Sequence, residues 1–239
     1  MGSSRTRQGH ESAWNELEAA SFPTLAGRVL GSYRLVARLG EGGMGVVYLG
    51  EHIKLNKMVA IKVVRRELTS QPEILSRFFN EAKAVNDIGH PNIVSIIDFV
   101  EKGDEDPPIV YMVLEYLSGE TLAKHIEENG AMSPEETVRI GLQMTDALGA
   151  IHQAKVLHRD LKPENIFLCE TEDGSPPPVK LLDFGVSKKI SDASEDDITE
   201  PGMTVGTPEF MAPEQILDRK LDERMDIYVF GMVLYNMLT

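Results

Sequence analysis

The chain has 239 residues, 42% hydrophobic and 26% charged, a globular balance with room for one large domain or two small lobes. Its 24 basic and 38 acidic side chains leave a net charge of −14, which argues against a nucleic-acid partner, since such binders present a basic face. The single cysteine, Cys169, excludes an internal disulfide and points to a reducing, cytoplasmic setting, and no apolar run reaches the roughly 18 residues of a membrane span.

Residues 1–32 open with polar "MGSSRTRQGHES" and read as a loosely attached leader with a short helix through "AWNELEAA". From Tyr33, short apolar runs with β-branched residues predict three antiparallel strands: "YRLVARLG", "GVVYLGEH" and "KMVAIKVV". Ser70, Pro72 and Glu73 then form a helix start with a capping-box pattern. The apolar face of that helix uses Ile74, Phe78, Ala82 and Val85, with Leu75 and Phe79 beside them. Two more strands follow in "IVSIIDFV" and "PIVYMVLEY", so a small sheet with one helix ends near Tyr116.

Beyond Tyr116 the pattern is helical. "GETLAKHIEENG" stops on a glycine, and Ser133, Pro134 and Glu136 cap a long helix through "VRIGLQMTDALGAIHQ". A loop-rich stretch from Val156 to Glu214 carries most of the polar signals, with "CETEDGSPPP" as a surface hairpin loop. "RMDIYVFGMVLYNMLT" reads as a final buried helix.

Chemistry enters at "LGEGGMGVVYLG". Gly40, Gly42 and Gly45 make G-x-G-x-x-G, which in a dinucleotide fold would open a helix; here a strand, "VVYLG", follows. Val47 extends the pattern to G-x-G-x-x-G-x-V, "VAIK" spans 59–62, "HRDLKPEN" spans 158–165, "DFG" spans 183–185 and "APE" spans 212–214. This ordered set resembles the eukaryotic-type (Hanks-type) protein kinase family, and "GEGGMGVVY" with "HPNIV" is most similar to its bacterial serine/threonine branch. The resemblance runs from about Tyr33 to the C-terminus. It implies an α+β, bilobal fold: an N-lobe over 33–116 with a small antiparallel β-sheet and one helix, and a mostly helical C-lobe over 117–239.

The resemblance also implies roles. Glycines 40, 42 and 45 would let backbone N–H groups approach the phosphates of ATP, because no Cβ intrudes. Lys62 would meet the α- and β-phosphates, partnered by Glu81 from the following helix. Leu39, Val47 and Ala60 would line the purine slot, with Leu114 at its back and Glu115 to Leu117 in the link joining the lobes. Asp160 would take the proton of the attacking hydroxyl, and Lys162 would steady the γ-phosphate. Asn165 and Asp183 would hold Mg²⁺ through oxygen. His158 and Phe184 are expected as packing residues, and Asp226 as the brace of the catalytic loop.

Thr207 would reach the catalytic aspartate. Arg159 beside Asp160 suggests control by a phosphorylated loop, with Thr199 and Thr204, then Ser191 and Ser194, as acceptors. The implied function is transfer of the γ-phosphate of Mg·ATP to Ser/Thr hydroxyls of protein substrates, with no nucleic-acid or membrane partner. A homodimer for autophosphorylation is a further expected partner. The family continues with more helices after the position of Thr239, so the C-lobe is expected to be incomplete, with Ile227, Phe230, Leu234 and Met237 short of cover. A second reading stands beside the first: a truncated kinase fold that binds ATP or a partner with little or no phosphotransfer.

Overall fold

The structure, a computed structural model, describes residues 25–42, 45–65, 69, 75–76, 79, 82–83, 86–100, 109–171, 173, 175–183, 208–217 and 219–239. Several expectations fall outside these residues: the leader through residue 24, the cap at Ser70, Pro72 and Glu73, and the helix positions Ile74, Phe78, Glu81 and Val85. Phe184, Ser191, Ser194, Thr199, Thr204 and Thr207 also lie outside them. The chain divides into two compact units, Met1–Pro72 with Ile96–Tyr116, and Glu73–Ser95 with Leu117–Thr239.

The first unit is an antiparallel sheet of six strands: β1 (Val29–Leu30), β2 (Tyr33–Gly42), β3 (Gly45–His52), β4 (Met58–Val64), β5 (Ile96–Val100) and β6 (Tyr111–Glu115). Their spatial order is β1-β2-β3-β4-β6-β5. Val59, Ile61 and Val63 alternate along β4 and point into one core with Leu30, Leu35, Tyr48, Tyr111 and Val113. Ile61 and Val113 are fully buried, each contributing on the order of 1.5–3 kcal/mol relative to exposure. β1 lies in the stretch read from sequence as leader. Val29 pairs with Arg34 and Leu30 with Tyr33, and Leu30 is completely buried, so Val29 and Leu30 belong to the sheet. A two-residue strand is too short to show a period, which is why the pattern missed it.

The second unit contains helix α1 (Leu122–Asn129), helix α2 (Pro134–Gln153), and a small antiparallel sheet of β7 (Gly119–Thr121), β8 (Ile166–Cys169) and β9 (Val179–Leu181). Helix α3 (Pro213–Ile216) and helix α4 (Arg224–Leu238) follow in it. Ile140, Met144, Ala147, Leu148 and Ile151 recur at helical spacing on α2 and pack against Met225, Val229, Val233 and Met237 of α4. Glu73–Ser95, expected from sequence within the 33–116 lobe, falls in this compact unit. Ile93 bridges Leu181, the Leu181 N–H donates to the Asn92 carbonyl at 2.8 Å, and the Asn92 amide donates to the Val179 carbonyl at 2.8 Å. These bonds add the segment to β9.

Two helix ends follow the sequence closely. Gly130 closes α1 at φ 76°, a left-handed conformation suited to glycine. At α2 the Glu136 N–H donates to Ser133 Oγ at 3.2 Å, and the Glu136 carboxylate accepts from the Ser133 N–H. Hydrogen bonds from Ser133 hold the Glu136 carboxyl below the ordinary carboxylate value. A lowered folded-state value means stability that is present above the ordinary value and is lost as pH falls through that range. Ser133→Ala is therefore expected to cost about 1 kcal/mol near neutral pH. In urea titrations its deficit should shrink below about pH 4; a deficit independent of pH would contradict the reciprocal cap.

α4 is buried on one side rather than all round. Ile227 and Tyr235 are 58% and 66% exposed, as expected for Ile227, but Met237 is fully buried. Phe230 and Leu234 are partly buried against the core, where Gly141 of α2 leaves room: a Cβ there would lie 3.2 Å from Leu234 Cδ2. Among the described residues, no helix is long and apolar enough to cross a membrane.

Candidate active-site residues in each unit

In the first unit the sheet sorts its side chains onto two faces. Strand residues directly opposite one another share a face. Val47 of β3, Lys62 of β4 and Met112 of β6 are register partners, as are Leu49, Ala60 and Leu114. The face opposite the apolar core thus carries Val47, Ala60, Lys62 and Leu114 together. Lys62 is only 8% exposed and lies on a central strand, where a compact ammonium acts through little intervening water. Leu39 lies on β2, Glu115 ends β6, and Leu117 follows in the segment before β7.

The three glycines differ in what demands them. A Cβ at Gly40 or Gly42 would meet nothing, so these positions offer bare backbone to any ligand that approaches. A Cβ at Gly45 would run into the Val63 carbonyl oxygen across the β3–β4 pairing. Glycine at 45 is thus required by the sheet itself. Gly45→Ala should lower stability by about 3 kcal/mol, read as a fall in Tm, with Gly40→Ala and Gly42→Ala within about 0.5 kcal/mol of the parent. Equal melting of all three variants would contradict this packing.

In the second unit, α2 ends at Gln153 and the chain reverses through Lys155 at φ 60°. It then makes a tight turn at His158–Arg159–Asp160. The Asp160 N–H donates to the His158 carbonyl at 2.8 Å around Arg159, whose φ is 63°. A three-residue turn closed around a left-handed residue is the rare, strained form. Asp226, in the first turn of α4 and 1% exposed, holds it: Oδ2 accepts from the His158 N–H at 2.9 Å, and Oδ1 accepts from the Arg159 N–H at 3.0 Å. His152 Nε2, at 2.8 Å from Oδ2, donates to the same carboxylate, which has only acceptors to offer.

His158 is completely buried. Burial holds its imidazole below the ordinary histidine value, against the pull of the Asp226, Asp160 and Asp183 charges. A neutral packing ring results.

Asp160, Lys162 and Asn165 come together around this turn. The Lys162 ammonium is 3.1 Å from Asp160 Oδ2. Asn165, in the 3-10 turn Pro163–Asn165, donates from Nδ2 to the Asp160 carbonyl at 2.7 Å and to Asp160 Oδ2 at 2.9 Å. Both amide protons are thereby directed at Asp160, which leaves the amide oxygen for a cation. Asp183 is tied in through the backbone, since the Leu182 N–H donates to the Asn165 carbonyl at 2.8 Å, and its φ is 33°.

An amide oxygen and a carboxylate are hard donors of the kind Mg²⁺ takes, with water and phosphate oxygens filling the remaining octahedral positions. Among the described residues, no group of three or more His, Cys, Asp or Glu side chains forms an all-protein metal cage. An amide oxygen beside a carboxylate fits a cation that takes its other ligands from water and a phosphate. The expected partner of Lys62, Glu81, lies outside the described residues. His152 was missed from sequence: a histidine in the last turn of a helix reads as a favourable dipole contact, and nothing local distinguishes it from one aimed at Asp226.

The protein kinase domain family matches residues 33–239. The chain is 47% identical over 215 residues to the serine/threonine-protein kinase Pkn1 of Myxococcus xanthus, covering 90% of this chain and 30% of that protein. It is 36% identical over 212 residues to the serine/threonine-protein kinase PrkC of Bacillus subtilis, covering 89% of this chain and 31% of that protein. It thus spans about a third of the length of these relatives. The PknI kinase domain of Mycobacterium tuberculosis, in crystals of a doubly substituted form, superposes with a TM-score of 0.69 at 23% identity, over 91% of this chain and 76% of that one. With this match across nearly its whole length, the chain belongs to the protein kinase domain family and to the part of it whose named relatives are bacterial serine/threonine kinases.

Proposed function

We propose that this chain transfers the γ-phosphate of ATP to serine or threonine hydroxyls of protein substrates. The observation that carries the reading is the joined group of Asp160, Lys162 and Asn165 on a braced turn. Asp160 accepts the proton of the attacking hydroxyl as its oxygen bonds to the γ-phosphorus. The bond from phosphorus to the β,γ-bridging oxygen breaks, and ADP leaves with that electron pair. Lys162, close to Asp160, offsets charge on the γ-phosphate. Lys62 binds the α- and β-phosphates, bare backbone at Gly40, Gly42 and Gly45 covers them, and Leu39, Val47, Ala60 and Leu114 receive the purine, with Glu115 to Leu117 beside it.

Asn165 and Asp183 would hold Mg²⁺, which when bound neutralises charge on the β- and γ-phosphate oxygens. The acidic surplus of the chain suits protein substrates with basic residues near the acceptor. A second copy of the chain, accepting phosphate in a homodimer, is a further protein substrate, though not one that this charge attracts.

The test uses the 239-residue chain with γ-labelled ATP, Mg²⁺ and a serine- and threonine-bearing basic protein. Label should appear as phosphoserine and phosphothreonine and vanish with EDTA. Label confined to phosphotyrosine, or nucleotide binding without any transfer, would overturn the proposal.

A further inference from the structure

Among the described residues, Asp226 is not alone in holding the strained turn at Arg159. Gln215 on α3 holds it too. Its Oε1 accepts from the Ala212 N–H at 2.9 Å, and its Nε2 donates to the Arg159 carbonyl at 3.1 Å. Both ends of this amide are therefore fixed. Ala212 is fully buried, so the anchor of the strap is rigid.

The Arg159 N–H is held by Asp226 and its carbonyl by Gln215, which pins the peptide groups on either side of one residue. A left-handed non-glycine residue persists only where its surroundings over-determine it. The peptide whose carbonyl Gln215 holds is the one that leads into Asp160.

We propose that Gln215 is a positioning residue: it pins the Arg159 peptide and so sets where the Asp160 carboxylate points. This rests on the transfer function proposed above. It also makes α3 a point of control, because a shift of α3 that breaks the 3.1 Å bond releases one side of the turn.

Q215E separates the two halves of the strap. The substituted side chain keeps an oxygen for the Ala212 N–H but turns a second oxygen toward the Arg159 carbonyl, removing the donor. Two readouts apply to the full chain. Amide hydrogen exchange, measured without nucleotide, should accelerate about tenfold at Arg159 and Asp160 and stay unchanged along α2. The kcat should fall about tenfold with the KM for ATP within about twofold of the parent.

The kcat deficit should also narrow as pH falls from about 8 towards 5, because the carbonyl that the introduced carboxyl faces favours its neutral form, raises it above the ordinary glutamate value, and so lets protonation restore a donor. The split of kcat from KM, with exchange unchanged along α2, separates positioning from a general loss of structure. Unchanged exchange at Arg159 and Asp160 would overturn the strap, and faster exchange with an unchanged kcat would overturn the positioning role. If the parent chain itself transfers no phosphate, the function proposed above falls, and the exchange measurement alone decides whether Gln215 pins the turn.

Discussion

Asp226→Ala is expected to destabilise the chain by about 3–5 kcal/mol. The carboxylate accepts three hydrogen bonds while 1% exposed, two of them from backbone N–H groups of the turn that carries Asp160. Alanine leaves the N–H groups of His158 and Arg159 without their acceptor, and each buried unmet donor costs on the order of 1–3 kcal/mol. Urea denaturation of the full chain gives the number directly. Asp226→Asn should fall between, since its amide keeps one acceptor oxygen but presents N–H to a donor on the other side. A loss below about 1 kcal/mol for the alanine variant would show that the brace is not what holds the strained turn.

Asp160→Asn is the second large effect, and it falls on rate rather than stability. The amide is nearly isosteric and can offer its oxygen to Asn165 Nδ2, so the turn and the Asn165 contact survive. Under the proposed transfer, what disappears is the basic oxygen that would take the hydroxyl proton, and with it the ion pair to Lys162 at 3.1 Å. General-base loss alone is worth on the order of 10²–10⁴ in kcat. Nucleotide affinity should stay within a few-fold, because the purine and the α- and β-phosphates are assigned to other residues. Calorimetric binding beside single-turnover transfer checks both halves. A parallel collapse of binding would mean that Asp160 acts structurally.

Local chemistry was the part of this protein most legible in its sequence. The Ser133–Glu136 cap and the Gly130 stop depend on residues at most a turn apart, so their signals and their causes coincide. The family motifs were equally readable, because each is a contiguous run. What the sequence could not show is which face of β4 each residue takes. "MVAIKVV" is apolar nearly throughout, and only the register with β3 and β6 separates Ala60 and Lys62 from the core set of Val59, Ile61 and Val63.

The bracing of the turn at Arg159 was half visible. Asp226 could be matched to a motif position, but Arg159 meets it 67 residues away and meets Gln215 56 residues away. No periodicity spans such separations. Residues 92–94 joined β9 for the same reason: a single bridge to Leu181 carries no pattern.

The central claim, that this chain moves phosphate from ATP to a protein hydroxyl through Asp160, is tested most directly by one rate. The full chain and its Asp160→Asn variant are compared for transfer of labelled γ-phosphate from Mg·ATP to a protein substrate. The account predicts label on serine and threonine for the parent and a rate at least about 10² lower for the variant. Equal rates in the two would contradict it.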